Sequence, residues 1–441
     1  MALLKQKTIC VQGLWHLGLV VAASLASVGH RVIAFDYDSE LVDSINDGKL
    51  PIYEPGLLEL IEDGKSSGNL IFSSNITKFD DIEVLWITYD TPVNNIDKAD
   101  SDFVFSQIVK SSSEIRSEKC LNIFVSSQLP VGSIKRLESE IIVGPTQFLK
   151  TKFKFIVIPE NLRLGSSIKY FLDPDRFIVG IRSDSDKKIV NETLGRITQN
   201  IEFMSTESAE MTKHALNAFL ATSVVFANEI ANLCEFTGCD AKEVERGLKT
   251  DMRIGRLAYV APGLAFAGGT LARDISYLEQ IAKYENFPLK MLSAVRRSNE
   301  LHKKWINNKI LSLYEELGNV KVTIWGLTYK SNTNTLRRSH MVELADWLLK
   351  KGANLTICEP SVSNFPRRWA TKVELINQPF DSIRNADVLV VGRLIGNEAE
   401  SSLQKFITEN KNISIIDPNR LLSIAVGHKN YYSVGSPQGQ I

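Results

Sequence analysis

The sequence predicts an α/β protein in which two doubly wound parallel-sheet lobes are joined by a helical middle. A strand, a glycine loop, a helix and a second strand ending in an acid open the chain between residues 8 and 36. Apolar strands then alternate with helical stretches up to about residue 203. After one long helix, Thr206 to Phe236, and several shorter ones, the alternation resumes at Val320. Strands that alternate with helices build parallel sheets, because each crossover helix covers a sheet face.

Thr8-Ile-Cys-Val11 is a short apolar strand, followed by Gly13-Leu-Trp-His-Leu-Gly18 and a helix from about Leu17 to Val28. Val32-Ile-Ala-Phe35 is the next strand, and Asp36 ends it. This order is that of a dinucleotide-binding unit, with Asp36 placed to hold a ribose 2′-hydroxyl. The acid favours NAD over NADP, since it would repel a 2′-phosphate. Trp15 stands where the pattern's second glycine belongs, the position that lets a pyrophosphate approach the backbone. An indole there either points away or fills the phosphate site. Three further strands end in Tyr-Asp-Thr-Pro (89–92), Gln-Leu-Pro-Val-Gly (128–132) and Pro-Glu-Asn-Leu-Arg (159–163). Ligands of parallel sheets sit at carboxyl strand ends, so these three should converge with the glycine loop.

On the long helix Lys213 and Asn217 lie four apart and share one face. Apolar neighbours predict a partly buried lysine there rather than a solvated one. The loop from Pro262 to Asp274 carries glycines at 263, 268 and 269, which let the backbone come close to a bound molecule. Arg273 and Asp274 fall just before a helical run, Ile275 to Ile281. A loop that opens a helix offers N–H groups to an anion or to developing charge. Helices continue to Leu317. Strands follow at Val320, Leu355, Asp387 and Ile413, with a helix over about Met341 to Lys350. Two Rossmann-like domains, 1–203 and 306–441, thus flank a central helical domain, 204–305.

Composition narrows the function class. Of 441 residues 44% are hydrophobic and 23% charged, and Lys plus Arg balances Asp plus Glu at 51 each. No global field favours nucleic acid or a membrane surface. The apolar run Leu17 to Val28 is too short to span a bilayer, and no secretory pattern precedes it. The five cysteines are scattered without paired zinc spacing, so buried free thiols are expected at 10, 234 and 358. A cytoplasmic enzyme without a metal is the expectation.

With these pieces in order, the chain resembles the nucleotide-sugar 6-dehydrogenase family, the UDP-glucose and GDP-mannose dehydrogenases. The resemblance runs nearly the whole length through Pro51-Ile-Tyr-Glu-Pro-Gly-Leu57, Thr91-Pro92, Pro130-Val-Gly132, Pro159-Glu160 with Leu162-Arg163, and Phe171 to Arg176. It continues through Glu210 to Asn217, Arg253-Ile-Gly255, Pro262-Gly263, Phe266, Gly268, Asp274, Lys330 and Leu336-Arg337. Pro-Gly-Leu-Ala-Phe leans towards GDP-mannose, whereas Asp251-x-Arg-Ile-Gly leans towards UDP-sugars. The resemblance implies NAD contacts from Gly13, Gly18, Asp36, Thr91 and Arg337, with Trp15 and Gln128 in the same crevice. It implies a nucleotide-sugar substrate met by Leu162, Arg163, Tyr259, Phe266, Gly268 and Lys330. A homodimer is also implied, with Arg253 reaching the site from the partner subunit. Glu160, Lys213, Asn217 and Asp274 would surround the sugar C6.

Six departures fall in that implied crevice. The family's nucleophilic cysteine aligns with Thr270, whose hydroxyl has no stable anion near neutral pH. The lysine before the aspartate is Arg273, the water-ordering threonine is Gln128, and a glutamate and a lysine become Leu164 and Ser126. Trp15 is the sixth. Together they predict one hydride step on a nucleotide sugar without the thioester route to a uronic acid. A silent sugar-nucleotide-binding homologue and an ordinary 6-dehydrogenase are the alternatives.

Overall fold

The computed structural model describes residues 5–92, 100–115, 120–143, 152–160, 162–267, 270–328, 336, 338–395, 406, 410–422 and 428–437. The chain forms two compact units, Met1–Ala215 and Leu216–Ile441. In chain order the first unit contains β1 (Thr8–Gln12), α1 (His16–Ser27), β2 (Arg31–Phe35), α2 (Ser39–Asn46), α3 (Leu57–Ser66), β3 (Leu70–Ser73) and β4 (Val84–Ile87). It continues with α4 (Ser101–Glu114), β5 (Leu121–Val125), α5 (Ser133–Val143), β6 (Phe153–Val157), α6 (Ser167–Leu172), β7 (Phe177–Ile181), α7 (Lys187–Leu194) and β8 (Ile201–Ser205).

The strand order is β3-β2-β1-β4-β5-β6-β7-β8. From β3 to β6 every pairing is parallel; β6 meets β7 antiparallel, and β7 and β8 are again parallel. The antiparallel step is absent from the sequence expectation, as are β3, β7 and β8. β3 and β8 are partly exposed strands at the two edges of the sheet, whereas β7 reads Phe-Ile-Val-Gly-Ile and is buried at its centre. α1 carries apolar residues on every side, and the structure gives the reason: α3 and α6 pack over it while it lies on the sheet. Gly18 is required where α1 crosses β1, because a Cβ there would stand 1.9 Å from the Gly13 carbonyl oxygen.

Helix α8 (Thr206–Thr237) runs from the first unit into the second. The second unit goes on with α9 (Ala241–Thr250), α10 (Thr270–Tyr284), α11 (Lys290–His302), α12 (Trp305–Leu313), β9 (Lys321–Trp325), α13 (His340–Lys350) and β10 (Asn354–Cys358). Then come β11 (Val373–Leu375), α14 (Pro379–Ile383), β12 (Val388–Val391), β13 (Ser414–Ile416) and β14 (Tyr431–Tyr432). Its sheet is parallel throughout, ordered β11-β10-β9-β12-β13-β14, the same order as the first six strands of the first unit. Side chains alternate along β9: Val322 and Ile324 face the layer of α12 and α13, while Trp325 faces Leu389 and Ile415 on the other side. Cys10, Cys234 and Cys358 are buried free thiols as expected, whereas Cys239 is exposed.

His30 shows how tightly the first unit closes. Its Nδ1 accepts the Lys7 N–H at 3.2 Å, so Nε2 carries the hydrogen and donates to the Thr193 carbonyl at 3.0 Å. Burial, with Arg196 adding to it, pushes its pKa down to about 4. The unfolded chain therefore binds a proton here before the folded one does. This stability is present above the unfolded value and is lost as pH falls through roughly 6.5 towards 4. Melting curves over this range should show the wild type losing more of its melting temperature than His30→Gln, which does not titrate.

Candidate functional site

The cofactor half of the site builds up at the carboxyl edge of the first sheet. Gly13 takes φ +100° directly after β1, and a Cβ on it would meet the Tyr89 backbone nitrogen at 2.9 Å. The Asp36 carboxylate ends β2 and accepts the Leu14 N–H at 2.8 Å and the Asp38 N–H at 3.1 Å. α1 starts from Trp15 without any side-chain cap, which leaves its first turn to an anion. The Trp15 indole is 44% exposed and is not packed into the body of the unit. Of the two outcomes open to it, the ring has taken the surface. Two of the strand ends expected to converge meet: the Thr91 hydroxyl donates to the Gln128 carbonyl at 2.7 Å, joining the segments after β4 and β5.

Glu160 and Lys213 meet in the same unit. Lys213 is partly buried, and its Nζ donates to the Glu160 carbonyl and lies 3.5 Å from Glu160 Oε2. Glu210, one turn earlier on α8, accepts the Gly132 N–H at 2.6 Å and the Ile134 N–H at 3.0 Å, anchoring the start of α5. Burial raises its pKa despite those two donors. Arg163 donates to the Tyr170 hydroxyl at 2.9 Å, and Leu162 packs against the first unit's core.

In the second unit Asn217 Nδ2 donates to Asp274 Oδ2, and both side chains are buried. The expected loop to Asp274 is shorter than anticipated, because α10 already begins at Thr270. Thr270 is therefore an exposed first-turn residue and Asp274 sits one turn further on. Its sequence reads as loop because the glycines before it mask a helix that Leu271, Ile275 and Leu278 support by packing inwards. Phe266 is buried in that same cluster. Tyr259 is exposed, and Arg253 is exposed and paired with Asp251 at 2.6 Å. Gly268, Lys330 and Arg337 lie outside the described residues.

At Gly263 the close approach comes from the protein itself rather than from a ligand: a Cβ would stand 2.3 Å from Asn419 Oδ1. Four side chains missed by sequence reasoning clamp this loop. Asn228 accepts Gly263 N–H at 3.0 Å, His302 bonds the Gly263 carbonyl at 2.8 Å, Asn419 accepts Leu264 N–H at 2.9 Å, and Asn299 accepts Phe266 N–H at 2.9 Å. A buried asparagine on an otherwise apolar helix face was the available signal for Asn228 and Asn299.

A glycine-lined uncapped helix end beside a ribose-type acid fits a dinucleotide and marks the first unit as a dinucleotide-binding lobe. The chain matches the UDP-glucose/GDP-mannose dehydrogenase family over its NAD binding domain (7–198), central domain (207–301) and UDP binding domain (323–422). It is 30% identical over 437 residues to UDP-glucose 6-dehydrogenase TuaD of Bacillus subtilis, covering 98% of this chain and 94% of the relative. It is 31% identical to the UDP-glucose 6-dehydrogenase of Rickettsia typhi, covering 96% and 98%. Among solved structures, a UDP-glucose dehydrogenase from Pyrobaculum islandicum superposes with TM-score 0.84 at 24% identity, covering 99% of each chain. The chain belongs to the UDP-glucose/GDP-mannose dehydrogenase family and carries its NAD-binding domain.

Asp36→Ala removes the acid that grips the coenzyme loop. A charged hydrogen bond contributes about 1.5–3 kcal/mol, so calorimetry should show NAD affinity falling roughly 10- to 150-fold.

Proposed function

We propose that this protein is an NAD-dependent oxidoreductase that takes a single hydride from a nucleotide sugar and stops at the carbonyl stage. The observation that carries this is Thr270, an exposed hydroxyl on the first turn of α10; counted back from Asp274 without a gap, it stands where the resemblance puts the family's nucleophilic cysteine. A hydroxyl without an activating base does not add to an aldehyde as a thiolate does. Bound NAD supplies the hydride acceptor. Lys213, held by Glu160, sets an ammonium to stabilise the oxygen that gains negative charge as the hydroxyl proton leaves. In the second unit Asn217 and Asp274 are buried and bonded to each other. The product is a carbonyl sugar nucleotide, or an epimer when the hydride returns to the other face.

Complete oxidation to a uronate is the second reading, favoured by relatives named UDP-glucose 6-dehydrogenases. Incubation with UDP-hexoses and GDP-mannose separates the two by the coenzyme reduced per sugar and the product mass. About one equivalent and a carbonyl product is the expected result. Two equivalents and a uronate would overturn it, and no reduction together with an unaltered bound sugar would make the protein a binding homologue. Thr270→Ala should keep turnover within a few-fold, whereas Lys213→Met should lower it about 10²–10³-fold.

A homodimer built on α8 is part of the same proposal. Phe219, Phe226 and Leu233 recur every seven residues and stay exposed, at 71%, 47% and 58%. α8 is long and apolar enough to cross a membrane by length and composition, but its opposite face, with Ala218, Ala221 and Val225, packs into the core cluster shared with α10 and α11. A stripe of this kind suits a second copy of the chain. Phe226→Asp should shift the dimer towards monomer in sedimentation, and an unchanged mass would count against it.

A further inference from the structure

Helix α8 ends in a glycine cap that brings two cysteines together. Gly238 takes φ +76°, and the Cys239 N–H donates to the Cys234 carbonyl at 3.1 Å, the bond that closes a Schellman motif. In that motif the residues at the two ends of this bond also meet through their side chains. Here both are thiols, and they lie within hydrogen-bond reach of each other. A disulfide needs Cα atoms about 4.4–6.8 Å apart, a spacing in reach across this backbone bond. The Thr237 hydroxyl lies 3.3 Å from Cys239 Sγ and holds it over the last turn of α8.

The two sulfurs differ in access. Cys239 is exposed, whereas Cys234 is buried beside Ala231, Ala241 and Val434. Burial raises the pKa of the Cys234 thiol, and the Cys239 sulfur next to it adds to the effect. A reagent from solvent therefore meets Cys239 first, and Cys234 is placed to resolve what forms there. We propose that Cys234 and Cys239 are a reversible dithiol–disulfide pair, oxidised by small-molecule disulfides at the α8–α9 turn. The Cys239 thiolate attacks one sulfur of the reagent, forming a mixed disulfide and releasing one thiolate. Cys234 gives its proton to solvent and attacks the Cys239 sulfur, which expels the second thiolate. The released thiolates take up the two protons, so two cysteine thiols are oxidised as one external disulfide is reduced to two thiols. Both flanks of the turn are tied to the rest of the second unit. Glu235 accepts the Trp305 Nε1–H at 2.8 Å and the Gly435 N–H at 3.0 Å, and Asp240 pairs with Arg420 at 2.6 Å. These bonds hold the backbone on either side of the sulfurs, which keeps the pair together in the reduced state.

Equilibrating the full chain with oxidised and reduced glutathione, trapping free thiols with iodoacetamide and digesting with trypsin reads the state directly. From His214 to Lys242 there is no internal Lys or Arg and no other cysteine, so one peptide reports both residues. The expected oxidised peptide is lighter by two hydrogens than its dithiol form and takes no alkyl group. Reduced glutathione should restore both alkylations. Cys234→Ser should stop at one glutathione on Cys239, and Cys239→Ser should leave Cys234 a free thiol. A wild-type peptide that stays a dithiol, or that keeps glutathione on Cys239 with Cys234 free, would overturn the pair. A disulfide from Cys239 to a second chain would overturn it too. The wild-type readout stands whether or not either variant folds, and it needs neither coenzyme nor sugar.

Discussion

The bond from Leu14 N–H to the Asp36 carboxylate is the constraint on which the coenzyme half depends. It fixes the turn after β1 to the end of β2, so the first turn of α1 is aimed by covalent geometry on one side and by charge on the other. Gly13 and Gly18 make the approach possible, since a Cβ at either position would collide with backbone. The carboxylate forms no ion pair among the described residues, so its remaining lone pairs stay open to hydroxyl donors.

The second unit repeats the device with a different outcome. Glu359 ends β10 and accepts Leu327 N–H at 2.8 Å and Thr328 N–H at 3.2 Å, as Asp36 does after β1. Here Arg393 also pairs with the carboxylate at 2.6 Å. Burial would push the pKa of Glu359 up, but the Ser361 hydroxyl and Arg393 hold it below the ordinary value. A guanidinium therefore occupies the acid's free side. The same sheet order thus recurs in both units, and the acid after the second strand has a charged partner in one of them.

Polar clamps join apolar packing of Leu264, Ala265 and Phe266 in setting the loop between Pro262 and Ala267. Each of its bonds from Asn228, Asn299, His302 and Asn419 falls on a main-chain atom. Beyond the loop, Asn217 and Asp274 bond each other directly.

Local sequence determined the elements whose signals are short-range. The β1–α1–β2 unit, its acid, and the strand ends at 89, 128 and 159 follow from periodicity and glycine spacing, because each depends on residues within one turn or one strand. Partial burial of Lys213 also followed from its helical neighbours. Tertiary structure alone decided the rest. The antiparallel join of β6 and β7, the start of α10 at Thr270, and the asparagine needed beside Gly263 arise from partners far away in sequence. The direction of the Trp15 indole and the pairing of His16 with Glu54 belong there too. A side chain's partner across such separations is set by packing, and packing has no period to read.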